Sequence, residues 1–314
     1  MSSKKWLIPV AVGALSVGVV ACGGGDGGGS SGLSGTIRID GSSTVAPLTE
    51  AVAEQFQAEN PDVKVSVGTS GTGGGFEKFC AGETDISDAS RPIEAEEVDL
   101  CKKGGVSYGE LQVANDALTV VVNNANPVKC MTVDQVKQVW QPGSKVTNWS
   151  QIDGLKPPFD SQAAPYGPGS DSGTFDYFTE AVNGEEGAIR NDYNDVGEDD
   201  NATVTGVSGA EGGIGYFGYS FYVENEGAVK ALEIDNGDGC VAPSVKTAQD
   251  GSYAPLSRPL FIYPSTKAVA DKTTRAFLDY YMANVNSVAE QVGFVPLTDS
   301  QLSKSEGELT SLEG

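Results

Sequence analysis

Three short segments of the chain combine glycine with hydroxyl residues: Gly41-Ser42-Ser43-Thr44, the run from Gly68-Thr69-Ser70 to Gly75, and Gly169-Ser170-Asp171-Ser172-Gly173-Thr174. Each is expected to end a strand and open a helix. A helix N-terminus offers backbone N–H groups without helical partners and the positive end of the macrodipole. Glycine lets the backbone approach a ligand, and Ser or Thr adds a hydroxyl donor. A single such turn is ordinary capping or chain reversal. Several facing one cleft form an anion site without a net positive protein. Ser43, Thr44, Ser70, Ser172, Gly173 and Thr174 are therefore candidate ligand contacts. A fourth segment, from Asp85 to Pro92, adds Ser90 and Arg91. The guanidinium could grip an oxyanion through two parallel hydrogen bonds, or simply pair with Asp88 or Glu94. Asp88 and Asp171 stand beside the donors, where a carboxylate repels a fully ionised anion and suits one that keeps a proton.

The 314 residues hold 20 Lys and Arg against 43 Asp and Glu, and no His. The net charge of −23 opposes the basic footprint of a nucleic-acid binder. Without His there is no Ser-His-Asp or Cys-His nucleophile and no His-ligated metal. No cofactor or metal is expected. Gly213-Ile214-Gly215-Tyr216-Phe217-Gly218 matches GxGxxG, but bulky rings fill the variable positions and no helix clearly follows. It reads as a buried strand and turn.

The elements that must position these turns are read from periodicity. Residues 36–40 and 63–67 form strands. Between them Val45, Leu48, Val52 and Phe56 mark one face of a helix ended by Pro61. A helix near 76–80, a short strand at 84–87 and a helix at 94–103 follow. Residues 111–113 and 118–122 read as two strands around Asn115-Asp116. The centre carries helices at 133–140 and 175–182 and strands at 214–217 and 229–234, with a loop-heavy, acidic stretch at 183–211. The strand at 260–263 returns the chain to the first lobe, and two helices follow with Phe277, Tyr280, Tyr281, Val285 and Val288 inward. The fold class is α/β, with two lobes, each a mixed sheet flanked by helices, and a cleft between them. The expected division is 35–118 with 258–314 in lobe 1, and 119–257 in lobe 2.

Lys4 and Lys5 precede an apolar run over 6–21 that is short for a membrane span. It ends in Ala21-Cys22 and a Gly/Ser stretch. That order reads as a lipoprotein signal at 1–21, a lipid on Cys22 and a tether over 22–34; the plainer alternative is a secretory signal with a chance cysteine. Four further cysteines in an exported chain suggest disulfides with three conceivable pairings. Cys80–Cys101, closing a local loop, and Cys130–Cys240, tying a central segment, are favoured.

Taken in order, Asp40-Gly-Ser-Ser-Thr-Val-Ala-Pro47, Gly68-Thr-Ser-Gly-Thr-Gly-Gly-Gly-Phe76, the segment from Phe79 to Ile93, and Asp171-Ser-Gly-Thr-Phe-Asp-Tyr-Phe178 resemble the phosphate-binding proteins of bacterial ABC phosphate importers. The resemblance spans about 36–295. It implies the type II periplasmic-binding-protein fold with two crossing strands and hinge closure. It also implies a lipid-anchored, extracytoplasmic, monomeric receptor that hands inorganic phosphate to ABC permease subunits without chemistry on it. By position, Ser43, Thr44, Ser70, Ser172, Gly173 and Thr174 would hold the anion. Pro168 stands where the better-known branch has an Arg, and Ser90 where it has its proton-accepting Asp. Arg91 is the expected replacement cation, and Asp171 or Asp88 the expected proton acceptor. A receptor for another tetrahedral oxyanion, or an envelope phosphatase, is the alternative.

Overall fold

In a computed structural model the chain is described over residues 32–312; the signal segment, Cys22 and most of the tether lie outside the described residues. From Gly35 the chain alternates as expected: β1 (Gly35–Gly41), α1 (Ala46–Glu59), β2 (Val63–Gly68), α2 (Gly71–Cys80), β3 (Ile86–Ala89), α3 (Ala95–Gly104) and then β4 (Leu111–Val122). Beyond it come β5 (Cys130–Thr132), α4 (Val133–Trp140), β6 (Ala164–Gly167), α5 (Gly173–Phe178), a π-helical turn (Thr179–Asn183), β7 (Asn194–Asp195), α6 (Asp200–Gly209), β8 (Gly213–Gly218) and α7 (Tyr219–Glu224). The chain closes with β9 (Lys230–Ala231), β10 (Glu233–Asp235), β11 (Cys240–Val241), α8 (Val245–Gln249), β12 (Ser257–Pro264), α9 (Thr266–Val269), α10 (Lys272–Gln291) and α11 (Asp299–Ser311).

The main sheet runs β2-β1-β3-β12-β4-β8-β6-β7. Its two ends are parallel, as crossover helices require, and its middle is antiparallel. β4 is the shared strand: its first half pairs with β12 and its second half with β8. Two large apolar cores lie on either side of that change. One gathers Ile37, Leu48, Phe56, Val113, Leu260, Phe277 and Tyr281; the other gathers Leu118, Trp140, Trp149, Phe178, Tyr216 and Leu256. In the first, α10 buries Phe277, Tyr281, Val285 and Val288 at helical spacing, and Phe277 meets Phe56 of α1 edge-on at 5.4 Å. The mixed sheet flanked by helices is the expected α/β architecture. Both favoured disulfides are present, Cys80–Cys101 joining α2 to α3 and Cys130–Cys240 joining β5 to β11.

Several local expectations change. Residues 111–122 form one strand, not two. Asn115 and Asp116 lie within the continuous strand: Gln112, three residues earlier, donates to the Asn115 side chain, Val295 pairs with its backbone, and Arg258 meets Asp116. The stretch read as loops contains α6, capped by Asp199 and packed inward through Thr203 and Val207. Helix α7 does follow the GxGxxG match. The strand read at 229–234 is split into β9 and β10. Helix α2 begins at Gly71, so the glycine run is its first turn, not a loop before it.

Candidate functional site

Strand β1 ends at Gly41 with φ +150°, where an added Cβ would sit 2.0 Å from the Asp88 carbonyl oxygen. Only glycine permits that approach. The Ser42 amide then donates to the Asp88 carbonyl at 2.9 Å, which fixes Ser42, Ser43 and Thr44 as the entry to α1. Strand β2 ends beside it and α2 rises from Gly71. A Cβ on Gly75 would lie 2.5 Å from Gly41 Cα, so bare glycine lets α2 rest against the end of β1. Strand β3 finishes this lobe with Ser90, whose amide and hydroxyl both meet the Thr72 hydroxyl.

These three turns line one cleft of about 560 Å³ with Ser42, Ser43, Thr44, Thr69, Ser70, Gly71, Thr72, Gly73, Ser90 and Arg91. Across it stand Asp176, Tyr177, Glu180 and Glu186, and Arg258 enters from β12. The first-turn amides of α2 have no acceptor within the helix. Two guanidinium groups and a set of hydroxyls therefore face three carboxylates.

The candidate residues have unequal fates. Ser43, Thr44, Ser70, Ser90 and Arg91 share the cleft. Ser70 spends its hydroxyl on Asp40 at 2.5 Å, next to the Lys78 ammonium. Arg91 lines the cleft, but its fork is taken bidentately by Glu97 at 2.8 and 2.9 Å, and Glu94 sits 3.3 Å from its Nε. The hydrogen bond to Glu97 raises its pKa first, with burial opposing. Its partners are thus Glu97 on α3 and Glu94 at that helix's N-cap, and not Asp88. Ser172, Gly173 and Thr174 line a neighbouring cavity of about 310 Å³, together with Asp116, Glu198 and Asp200, and that cavity shares Ser43 and Thr44 with the first. Gly173 abuts Thr44, since its Cβ would lie 3.4 Å from Thr44 Oγ1.

Neither expected proton acceptor lines the cleft. Asp171 is exposed and borders Gly169. Asp88 is fully buried behind Gly41. Burial, reinforced by Asp40 and Glu50 and opposed by Thr49, pushes its carboxyl up to about 8. Of the three carboxylates in the cleft, Asp176 is the one that Ser43 acts on. Burial and Glu186 raise its pKa, while a hydrogen bond from Ser43 and the charge of Arg258 oppose the shift.

Arg258 escaped the sequence reading. Its Nη2 donates to Thr44 Oγ1 at 2.9 Å, its Nε lies 3.4 Å from Asp116 Oδ2, and its Cζ stands 3.5 Å from the Tyr177 ring centroid. Nη1 is 3.7 Å from Glu180 Oε2. An always-charged, planar fork stacked on an aromatic face is suited to an oxyanion. The only signal in the sequence was an Arg just before the apolar strand 260–263, and nothing there says which strand pairs with it. Pro168, at the position of the missing family Arg, is not among the residues lining either cavity; its carbonyl accepts from Tyr193.

A PBP superfamily domain is matched over residues 27–285. Protein SphX of Synechococcus elongatus is 49% identical over 264 residues, covering 83% of this chain and 77% of the relative. The phosphate-binding protein PstS of Staphylococcus saprophyticus is 40% identical over 316 residues, covering 99% and 96%. Among solved structures, one from Planctomyces limnophilus described as "a possible phosphate binding protein" is 41% identical, with TM-score 0.85 over 90% of this chain and 100% of that one. Matched by the superfamily model over most of its length and 40% identical to a PstS protein across 99% of it, the chain belongs to the PBP superfamily, in the family of the PstS phosphate-binding proteins.

Proposed function

We propose that the chain is a solute receptor that captures inorganic phosphate in this cleft and delivers it to the permease of an ABC importer. The observation that carries this reading is the convergence in one cleft of the α1 and α2 N-terminal turns, Arg258 and a half-buried Asp176. Backbone amides and hydroxyls from Ser43, Thr44 and the first turn of α2 would hold the oxygens, and Arg258 would supply the charge. Asp176 would accept the proton that phosphate retains near neutral pH and sulfate lacks. Arg91, saturated by Glu97, would shape the wall. Ser172, Gly173 and Thr174 would join the ligand shell as the lobes close.

The lobes of this reading are 35–118 with 258–314, and 119–257. Support comes from the two cores, whose members change over between Ala114 and Leu118 and again between Leu256 and Leu260. Residues 1–21 would be removed, a lipid on Cys22 would anchor the protein outside the cytoplasm, and it would act as a monomer. Calorimetric titration of the chain from Ser34 tests the reading: phosphate should bind tightly, with little loss in excess sulfate, and Arg258→Ala should abolish most of the heat. No phosphate heat, or equal affinity for sulfate, contradicts it.

A further inference from the structure

Asp176 and Glu180 are four residues apart, so they stand on one face of α5 and its π-helical continuation. Like charges at that spacing destabilise a helix. A π-turn inserted into a helix is uncommon and clusters at functional sites. Here Thr179 holds the turn: its hydroxyl donates to the Phe175 and Asp176 carbonyls and accepts from the Gly187 amide. The turn therefore sets both carboxylates along the cleft with no cation of their own element to offset them. Compensation comes from across it. Glu180 Oε2 lies 3.7 Å from Arg258 Nη1, and the same carboxylate also acts on Arg91.

The Glu180–Arg258 pair differs from the other contacts of Arg258. Asp116 is a buried partner in register on β4, and Thr44 takes a hydrogen bond of 2.9 Å. Glu180 is 56% exposed, and 3.7 Å exceeds hydrogen-bond reach. The attraction is Coulombic, and the side chain can leave at little cost. The Nη1 edge is thus held by a mobile charge at the point where an oxyanion would dock.

We propose that Glu180 is the resident counter-ion of Arg258, which an incoming oxyanion displaces, so that Glu180 sets the affinity and salt dependence of capture. This rests on the phosphate reading of the cleft. The carboxylate lowers affinity by competing for Nη1 and by repelling the ligand, and it keeps Arg258 compensated until the ligand arrives.

The experiment is a double-mutant cycle with Glu180→Gln, Arg258→Gln and the pair, all in the full chain, titrated with inorganic phosphate at low and high salt. Glu180→Gln should bind phosphate about 2- to 5-fold more tightly at low salt, the upper range for a partly exposed pair. The gain should shrink at about 1 M salt and fall to the smaller part set by direct repulsion when Arg258 is already Gln. Unchanged or weaker binding by Glu180→Gln overturns the proposal, as does an equal gain without Arg258. If the unaltered protein gives no heat with phosphate, the phosphate reading fails by itself. The counter-ion is then judged by melting the four unliganded proteins: non-additive Tm shifts support it and additive ones overturn it.

Discussion

Arg258 and Arg91 show how little residue type says about a role until the partners are known. Both line the cleft, and both are fully charged. Arg91 is anchored on two carboxylates of its own lobe, whereas Arg258 touches β4, Thr44, the Tyr177 ring and Glu180. The hydroxyl and glycine turns were legible because a helix N-terminus needs those residues in consecutive order. Arg258 was not, since its meaning depends on Asp116, 142 positions away. Asp88 makes the same point with a consequence for stability. Its folded pKa of about 8 exceeds the ordinary value of about 4, so between those pH values the folded state holds a proton that the unfolded chain has released. Its contribution is therefore greatest below pH 4 and declines as pH rises through 8. Asp88→Asn, which carries no charge to bury, should raise the Tm at pH 8 by at least about 4 °C and flatten the fall between pH 5 and 8. Equal melting of the two proteins at pH 8 contradicts this assignment.

At the level of elements, the glycine run of α2 divides into packing and non-packing positions. Gly75 meets Gly41 Cα, Ser87 Oγ and the Asp40 carbonyl, while a Cβ at Gly73 meets nothing within 4 Å. Backbone cannot yield as a flexible side chain can, so Gly75→Ala forces α2 off β1 and moves its N-terminal amides. The expected cost is about 1–3 kcal/mol of stability and at least about tenfold in phosphate affinity, a displaced donor set being the reason. Gly73→Ala should leave the melting temperature level or slightly higher. Equal melting for both variants in a thermal scan would refute the packing role of Gly75. The alternation of strands and helices was legible because apolar periodicity is local. The continuity of β4 was not: Asn115-Asp116 reads as a break between two strands until Val295 and Arg258 are seen to pair there. Helix α6, with inward Thr203 and Val207 among small and polar residues, has too weak a period to announce itself.

For the whole molecule, two large cores are joined through β4 and β12, with the turns that line the cleft gathered beside Arg258 of β12. Arg258 and Asp116 face each other in that register, so the charge that would hold the ligand is built on the strands about which the lobes would close. The chain bears a net charge of −23, yet charges beyond about 8–10 Å are screened at physiological salt, and capture depends on the local donors. A crystal structure of the chain grown with phosphate should show the anion between the Ser43–Thr44 turn and the first turn of α2, in hydrogen-bond contact with Arg258 and Asp176. Phosphate held instead in the neighbouring cavity, away from Arg258, would contradict this placement.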